Sequence, residues 1–215
     1  MPPEVSDQIH ESRQVIALPY LSLGQSTVAV RRPDLEVKFT NRGKLTVGAG
    51  SAFGVASSYT QSSGTTTVDG ILNAPALTVS GGSLVGQGMV SAAVTRSGGT
   101  ITVGDSSTKP GILTITGSYS QSATTGSLNV GISGNTVGSQ YSQLAVSNGI
   151  SLDGILNIKL IKGFIPAVGS SFTILKGTAV TGTFSTVNGA SINSSEHFQV
   201  NYNSSDVTLS VVPGP

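Results

Sequence analysis

Carboxylates are the side chains of this 215-residue sequence best suited to chemistry, and few of them follow residue 44. The later ones are Asp69, Asp105, Asp153, Glu196 and Asp206. Enzymes that cleave polysaccharides need clustered carboxylates, which either flank a sugar bond or hold calcium. Asp69 and Asp153 each precede a glycine, Gly70 and Gly154, and a short acidic side chain in that position serves a turn. The pattern therefore predicts structural turn roles for these four residues.

Other groups for catalysis or metal binding are scarce. The sequence has no cysteine and only two histidines, His10 and His197, which lie far apart along the chain. It contains no Gly-x-Ser-x-Gly elbow, no Walker loop and no His-Glu-x-x-His segment. We therefore expect no catalytic residue, no metal ligand and no cofactor. The missing cysteines also exclude a disulfide framework.

Three tyrosines share a Tyr-x-Gln motif, at Tyr59, Tyr119 and Tyr141. Two interpretations stay open for them. In one, the rings form an exposed track that stacks on sugar rings, which makes the three residues candidate carbohydrate contacts. In the other, which we favour, the rings simply pack as strand residues at one corner of the fold.

The carboxylates and tyrosines lie among short apolar runs that are broken by glycine, and these runs must position them. Glycine accounts for 28 residues, and segments such as 45–47, 101–103 and 113–115 alternate apolar and polar residues before a turn residue. Alternation with a period of two, rich in Val, Ile and Thr, is typical of strands. No segment keeps the 3.6-residue period of a helix, so the sequence predicts an all-β fold.

The overall composition excludes several function classes. Only 10% of residues are charged and the formal net charge is +1, which argues against a nucleic-acid partner. No apolar stretch approaches the roughly 20 residues of a transmembrane segment. With 37% hydrophobic residues, the chain has more apolar content than a typical disordered protein.

Internal repeats predict how the strands are arranged. The segment Asp69-Gly70-Ile71-Leu72-Asn73 recurs in full at positions 153–157, and the three tyrosine motifs are a second recurring element. The intervals between copies are near multiples of about 21, the length of one coil in many β-solenoids. We predict about eight coils, each with a short strand, a turn and a second short strand. Asp69 and Asp153 would then share one corner four coils apart, about 19 Å, too far for a catalytic pair.

The same period predicts where the tyrosines lie. Tyr119 and Tyr141 would be stacked neighbours in adjacent coils, and Tyr59 would lie on the same side three coils away. The glycines that follow the two aspartates would share a turn with positive φ. Ile71 and Ile155 would point one way along their strands, and the leucines after them the opposite way.

The composition changes near residue 44. Residues 1–44 carry 11 of the charged side chains, and all the later residues together carry 10. We interpret residues 1–44 as an N-terminal cap or leader segment, with a short helix from Ser6 to Arg13, and residues 45–212 as the solenoid. Residues 198–202 and 206–211 alternate around a polar turn and predict a terminal hairpin cap. Residues 213–215 are a tail or the start of a linker.

The second half of the chain resembles a known family. The segments 141–146, 150–158, 163–169, 172–175 and 180–184 look like the C-terminal passenger region of bacterial autotransporters and related β-strand-repeat surface proteins. The resemblance covers about residues 45–212 and implies a right-handed parallel β-helix displayed outside a bacterial cell. The signal peptide and translocator domain of that family are not found in this sequence, so we expect a fragment or a relative that is exported differently.

These observations lead to one expected function and two alternatives. We expect a non-enzymatic, extracellular or cell-surface solenoid of the adhesin type, a stiff scaffold for display or adhesion. Its partners would be host surface glycans or proteins, or neighbouring solenoid segments of a longer chain. The alternatives are a polysaccharide lyase or hydrolase on the same fold, and a carbohydrate-binding module that uses the tyrosines.

Overall fold

The chain folds entirely into strands and loops over the part that is described. The computed structural model describes residues 20–23, 27–30, 38–122 and 125–214, which contain 22 strands and no helix. No helix in these residues is therefore long and apolar enough to cross a membrane. All strand pairs are parallel except the two that involve the last strand of the chain. The predicted all-β fold is confirmed, and the parallel pairing is consistent with a β-solenoid.

The strands stack in three columns, which the chain visits in a constant order. The first column is an eight-stranded sheet of β1 (Tyr20–Leu23), β4 (Lys44–Val47), β7 (Thr65–Val68), β9 (Ser83–Gly86), β11 (Thr100–Val103), β14 (Ser127–Ile132), β17 (Ile155–Leu160) and β20 (Thr186–Asn188). The second column holds β2 (Thr27–Val30), β5 (Ala52–Val55), the first halves of β8 (Ile71–Val79) and β10 (Met89–Arg96), β12 (Ile112–Ile115), β15 (Gln143–Val146) and β18 (Ser171–Lys176).

The third column holds β3 (Phe39–Asn41), β6 (Ser58–Gln61), the second halves of β8 and β10, β13 (Tyr119–Gln121), β16 (Gly149–Leu152) and β19 (Ala179–Gly182). Because β8 and β10 run through both the second and the third column, they join these columns into one sheet. Each coil therefore contains three strand positions, and the prediction of two strands per coil is wrong.

Coil length is far from the constant value that the sequence analysis predicted. Ser83 pairs with Thr100 of the next coil, whereas Ile155 pairs with Thr186, so the second of these coils is nearly twice as long as the first. Much of the added length lies between the first and second columns, in residues 104–111, 133–142 and 161–170. Loops on the outside leave the pairing inside unchanged, so a coil can lengthen without losing its register.

Apolar side chains from all three columns point into the coil. Leu72, Val90 and Ile115 are register neighbours in the second column, and each has no exposed surface. Burying one such side chain stabilises the fold by about 1.5–3 kcal/mol. Near the N-terminal end, the rings of Phe39 and Tyr59 stack at a centroid distance of 5.2 Å. The alternating pattern of the sequence thus fills one continuous core.

The two ends of the sheets are organised differently. At the C-terminal end, β21 (Glu196–Tyr202) and β22 (Asp206–Pro213) form the predicted hairpin, and β22 pairs antiparallel with β18. At the N-terminal end, β1, β2 and β3 precede residue 45 and pair in parallel with β4, β5 and β6. The sheets thus extend beyond the boundary that composition placed at residue 44. The predicted helix at Ser6–Arg13 and the terminal Pro215 lie outside the described residues.

The two Asp-Gly-Ile-Leu-Asn segments do not share a corner, so this prediction is wrong. Ile71 pairs with Met89 in the second column, whereas Ile155 pairs with Ser127 in the first. Gly154 has a φ of 70°, and Gly70 is not among the glycines with positive φ. The motif encodes a turn followed by an outward and an inward residue, and this local structure fits either column. Accordingly, Leu72 and Leu156 are both fully buried, as predicted.

Candidate functional site

The three tyrosines lie inside the fold rather than on its surface. Tyr59, Tyr119 and Tyr141 expose 0%, 1% and 9% of their surface. Burial raises the pKa of Tyr59 and of Tyr119, so both phenols stay neutral. The interpretation that the three rings form an exposed track for sugars is therefore wrong, and the rings pack within the coil.

Two of the three tyrosines occupy equivalent positions. The register runs from Tyr59 to Leu77, to Val94 and then to Tyr119, so three coils separate the two rings, as predicted. Tyr141 does not stack on Tyr119, whose partner in the next coil is Ile150. The prediction that Tyr119 and Tyr141 are neighbours is wrong because Tyr141 lies in the inserted segment 133–142, before β15 begins.

Buried polar networks explain the first two Tyr-x-Gln motifs. The Tyr119 hydroxyl donates to Gln121 Oε1 at 2.8 Å, and the Gln121 amide nitrogen donates to the Asp153 carbonyl. In the other copy, Gln61 accepts from Asn41 Nδ2 at 3.0 Å and donates to the Ser63 carbonyl. Each glutamine thus links a network inside the coil to the backbone of a corner.

The third motif is used differently. Ser142, the middle residue, has no exposed surface and donates from Oγ to the Val103 carbonyl at 2.8 Å. Gln143 instead points outward, and its amide donates to the Thr173 carbonyl at 2.8 Å. The third copy therefore keeps a buried tyrosine but turns its glutamine outward, and of its three residues only Gln143 belongs to a strand, β15.

Arg96 is a buried charge that sequence analysis did not single out. It lies in the third column next to Gln121, and none of its surface is exposed. One guanidinium nitrogen is 3.4 Å from the Gly99 carbonyl, while Nε and the other terminal nitrogen have no acceptor among the described residues. A Cβ on Gly126 would lie 1.4 Å from the same guanidinium, so this glycine makes room for it.

The structure brings together polar residues that the sequence analysis kept apart. Asp69 directly follows β7, Gln87 directly follows β9, and Asp105 follows β11 after Gly104. The three residues therefore lie near one another at a single corner between the first and second columns. Gln87 donates from its side-chain amide to Asp105 Oδ1 at 3.0 Å, and its backbone nitrogen lies 3.4 Å from Asp69 Oδ1. We call these three residues the acid–amide corner.

The electrostatics of this corner are uneven. Lys109 forms an ion pair with Asp105, and this contact raises the pKa of the lysine. Partial burial, and then the negative charge of Asp105, raise the pKa of the Asp69 carboxyl. Asp69, Gln87 and Asp105 follow one another at equal intervals of 18 residues. The sequence analysis assumed a longer period of about 21 residues and therefore did not detect this spacing. Asp153 lies at a different corner, where its carboxylate accepts from the Gly154 nitrogen at 2.6 Å.

A shallow groove of about 600 Å³ runs beside the acid–amide corner. Its polar side is formed by Asp69 and Gln87, and its floor by Ile71 and Met89, which expose 40% and 37% of their surface. Ile71 and Met89 are direct neighbours in the second column. Such a surface, apolar with a few polar groups on one side, is suited to binding rather than to proton transfer.

A ladder of asparagine amides lies on the outer face of the first column. Asn188 donates to Asn157 Oδ1 and Asn157 donates to Asn129 Oδ1, both at 2.8 Å. Asn129 in turn donates to Thr102 Oγ1 at 3.2 Å. These bonds connect register partners in successive coils, so the ladder fixes the register of the longest coils from outside the core.

The remaining candidates do not form a centre. Across the described residues, no three His, Cys, Asp or Glu side chains are grouped so that they could hold a metal ion. His197 lies in β21 with a buried Nδ1, whereas His10 falls outside the described part of the chain. No protein-family model matches the chain, and a search of curated proteins finds no match either.

Proposed function

We propose that the chain is a non-enzymatic solenoid of the adhesin type, a right-handed parallel β-helix of about eight coils that works outside a bacterial cell. The observation that supports this proposal is the unbroken parallel pairing of eight strands in the first column. At about 4.8 Å per coil, this sheet extends about 34 Å along the stacking axis. The resemblance to autotransporter passengers and β-strand-repeat surface proteins supports the extracellular location.

The mechanism of such a scaffold is passive. Each inner strand is hydrogen-bonded to the coils on both sides, and apolar side chains fill the space between columns. Bending the rod would break both sets of contacts, so the stack is stiff. The outer faces carry Ser, Thr and Asn side chains, as in the asparagine ladder, and offer many weak polar contacts to glycans or proteins.

Adhesion by the folded chain tests this proposal. Beads coated with the chain should adhere to surfaces of mucin, collagen or epithelial cells. Beads coated with a Leu72→Asp variant should not, because a charge at this fully buried position prevents folding. Equal adhesion by both kinds of bead, or none by the folded chain on all three surfaces, would overturn the adhesin role. Circular dichroism confirms that only the variant is unfolded.

A second candidate, a polysaccharide-active enzyme, is favoured by one observation. Asp69 has a raised pKa and lies near a second carboxylate, Asp105, as acid–base pairs of glycosidases do. However, the lysine ion pair and the Gln87 amide already engage Asp105. We expect no turnover of pectin, alginate, xylan or chitin. Turnover that Asp69→Asn abolishes would instead support the enzyme.

A further inference from the structure

The groove beside the acid–amide corner is concave and is lined by both apolar and polar side chains. We propose that it binds an uncharged, hydroxyl-rich glycan strand, which lies across successive coils with its sugar rings on Ile71 and Met89 and its hydroxyls on Asp69 and Gln87. This inference rests on the proposed adhesin function and names the ligand class and the site that would serve it.

Glycines shape one side of the groove. Gly50, Gly70 and Gly88 line it in three successive coils, so the backbone is bare on that side. A Cβ on Gly70 would lie 2.3 Å from the carbonyl oxygens of Gly48 and Ser51, and one on Gly88 would lie 2.3 Å from the Gly70 oxygen. The close stacking of these turns requires glycine, and the open groove is its consequence. Its volume lies within the range of small-ligand sites.

The floor of the groove is a narrow apolar strip. Ala52, Ile71 and Met89 are register neighbours on the outer face of the second column, and Thr114 follows Met89 in the next coil. Most outward positions in this chain are polar, so two large adjacent apolar side chains are unusual here. A pyranose ring presents C–H groups on its face, and the apolar side chains of this strip can contact them.

The polar side of the groove is rich in hydrogen-bond acceptors. Asp69 carries a carboxylate, and Gln87 uses its side-chain nitrogen to donate to Asp105, which leaves Oε1 with no donor among the described residues. Acceptors of this kind select a ligand that brings donors, and sugar hydroxyls are such donors. The Asp105 contact also holds the Gln87 amide in one orientation.

Other ligand classes fit less well. The two carboxylates of the corner lie close enough for the charge of Asp105 to act on Asp69, so the corner repels uronate and sulfated polymers. Lys109 offsets the charge of Asp105 and leaves one net negative charge, which attracts a cationic ligand only weakly. An extended peptide would need a free strand edge, but β8 is paired with strands on both sides at this place.

The two copies of the Asp-Gly-Ile-Leu-Asn segment provide a matched test. Asp69→Ala and Ile71→Thr change the groove. Asp153→Ala and Ile155→Thr make the same changes at the start of the first-column strand β17, away from the groove. Isothermal titration of the full chain with cellohexaose, a neutral glucan hexamer, should show binding. We expect both groove variants to weaken it about tenfold and both control variants to leave it unchanged.

Several results would overturn the assignment. One is that the chain binds neither cellohexaose nor the neutral hexamers of mannose and xylose. Another is that all four variants bind equally well. The last two are a preference for a galacturonate hexamer and salt-sensitive binding of a chitosan hexamer alone. The bead assay separates this inference from the adhesin proposal. If Asp69→Ala beads adhere normally, adhesion stands without the groove. If the glycan binds and the beads do not adhere, the groove stands without adhesion.

Discussion

Gln61 and Gln121 show how this chain uses polar residues inside a coil. Both side chains are almost completely buried, and each connects the hydroxyl group of a tyrosine to a backbone carbonyl at a corner. An unpaired amide at these positions would be costly, and the networks leave little room for alternative registers. The networks are therefore structural, and they account for the repeated motif without a ligand.

Gln61→Ala tests this role. The change removes the buried acceptor that Asn41 Nδ2 and Thr66 Oγ1 share, so we expect the free energy of unfolding to fall by about 1–3 kcal/mol. Gln143→Ala, in the outward copy of the motif, is the control and should cost less than about 1 kcal/mol. Urea denaturation measures both. An equal loss in the two variants would show that burial does not distinguish them.

The carboxyl group of Asp69 should make stability depend on pH. Its folded-state pKa is raised, first by partial burial and then by Asp105, so the folded state favours the protonated form. This contribution is fully present below the unfolded pKa of about 3.9 and is lost as pH rises through the raised folded value. Asp69→Asn should therefore be more stable than the parent at neutral pH, by less than about 1 kcal/mol because the group is only partly buried and solvent screens its interactions.

Urea denaturation of the parent and of Asp69→Asn at neutral pH and near pH 4 measures this difference. The advantage of the variant should shrink on acidification, since the parent carboxyl then becomes neutral as well. A variant that is less stable than the parent at neutral pH would contradict the assignment. It would mean that the ionised carboxylate gains more from the Gln87 nitrogen than it loses to burial and to Asp105.

At the scale of strands and corners, tight stacking restricts which residues fit. Gly86 ends β9 with a φ of 143°, and a Cβ there would lie 2.0 Å from the Val68 carbonyl oxygen of the previous coil. Gly163 lies in the loop before β18, also with positive φ, but a Cβ there meets nothing within 4 Å. A substitution at Gly163 would introduce backbone strain alone, whereas one at Gly86 would add a clash with the neighbouring coil.

Gly86→Ala and Gly163→Ala test that separation. Gly163→Ala should cost about 1–2 kcal/mol, the penalty of a left-handed conformation for a residue with a Cβ. Gly86→Ala should cost more than about 3 kcal/mol, because a clash with the neighbouring coil is added to the strain. Chemical denaturation measures both losses. If the two variants lose the same stability, the coils are more loosely stacked than the distances imply.

The strands could be predicted from the sequence, but their assignment to coils could not. Local alternation marks β4, β11 and β12 correctly, because the period of two is a property of each strand alone. The coil to which a strand belongs depends on pairing with distant residues and on outer loops of variable length. A constant period therefore misplaced Asp153 and Tyr141, and it hid the approach of Asp69 to Asp105. The groove was missed for the same reason, since its parts come from different coils.

For the whole molecule, the ends of the stack are the weak points. Inner strands have partners on both sides, whereas the last strand of each column has no following coil to pair with, and an uncovered edge there could pair with another chain. The hairpin covers two of these edges at the C-terminal end. β22 pairs with β18, and the turn between β21 and β22 accepts from the nitrogens of Gly177 and Val180 at 2.8 Å each. Phe198 also packs on Phe172 with a centroid distance of 6.1 Å.

Removing the hairpin should turn the rod into an associating species. A chain that ends at residue 195 exposes the edge of β18 and the ring of Phe172, so we expect oligomers by size-exclusion chromatography with light scattering, where the full chain gives a smaller species. Thr173→Lys, on the outer face of β18, places a charge at that edge, and in the truncated chain it should reduce association because lysines block edge pairing. If the truncated chain has the same number of chains per particle as the parent, the hairpin does not protect the edge of β18. Association that Thr173→Lys leaves unchanged would point to the exposed phenylalanine instead, since a charge on the outer face does not cover an apolar end.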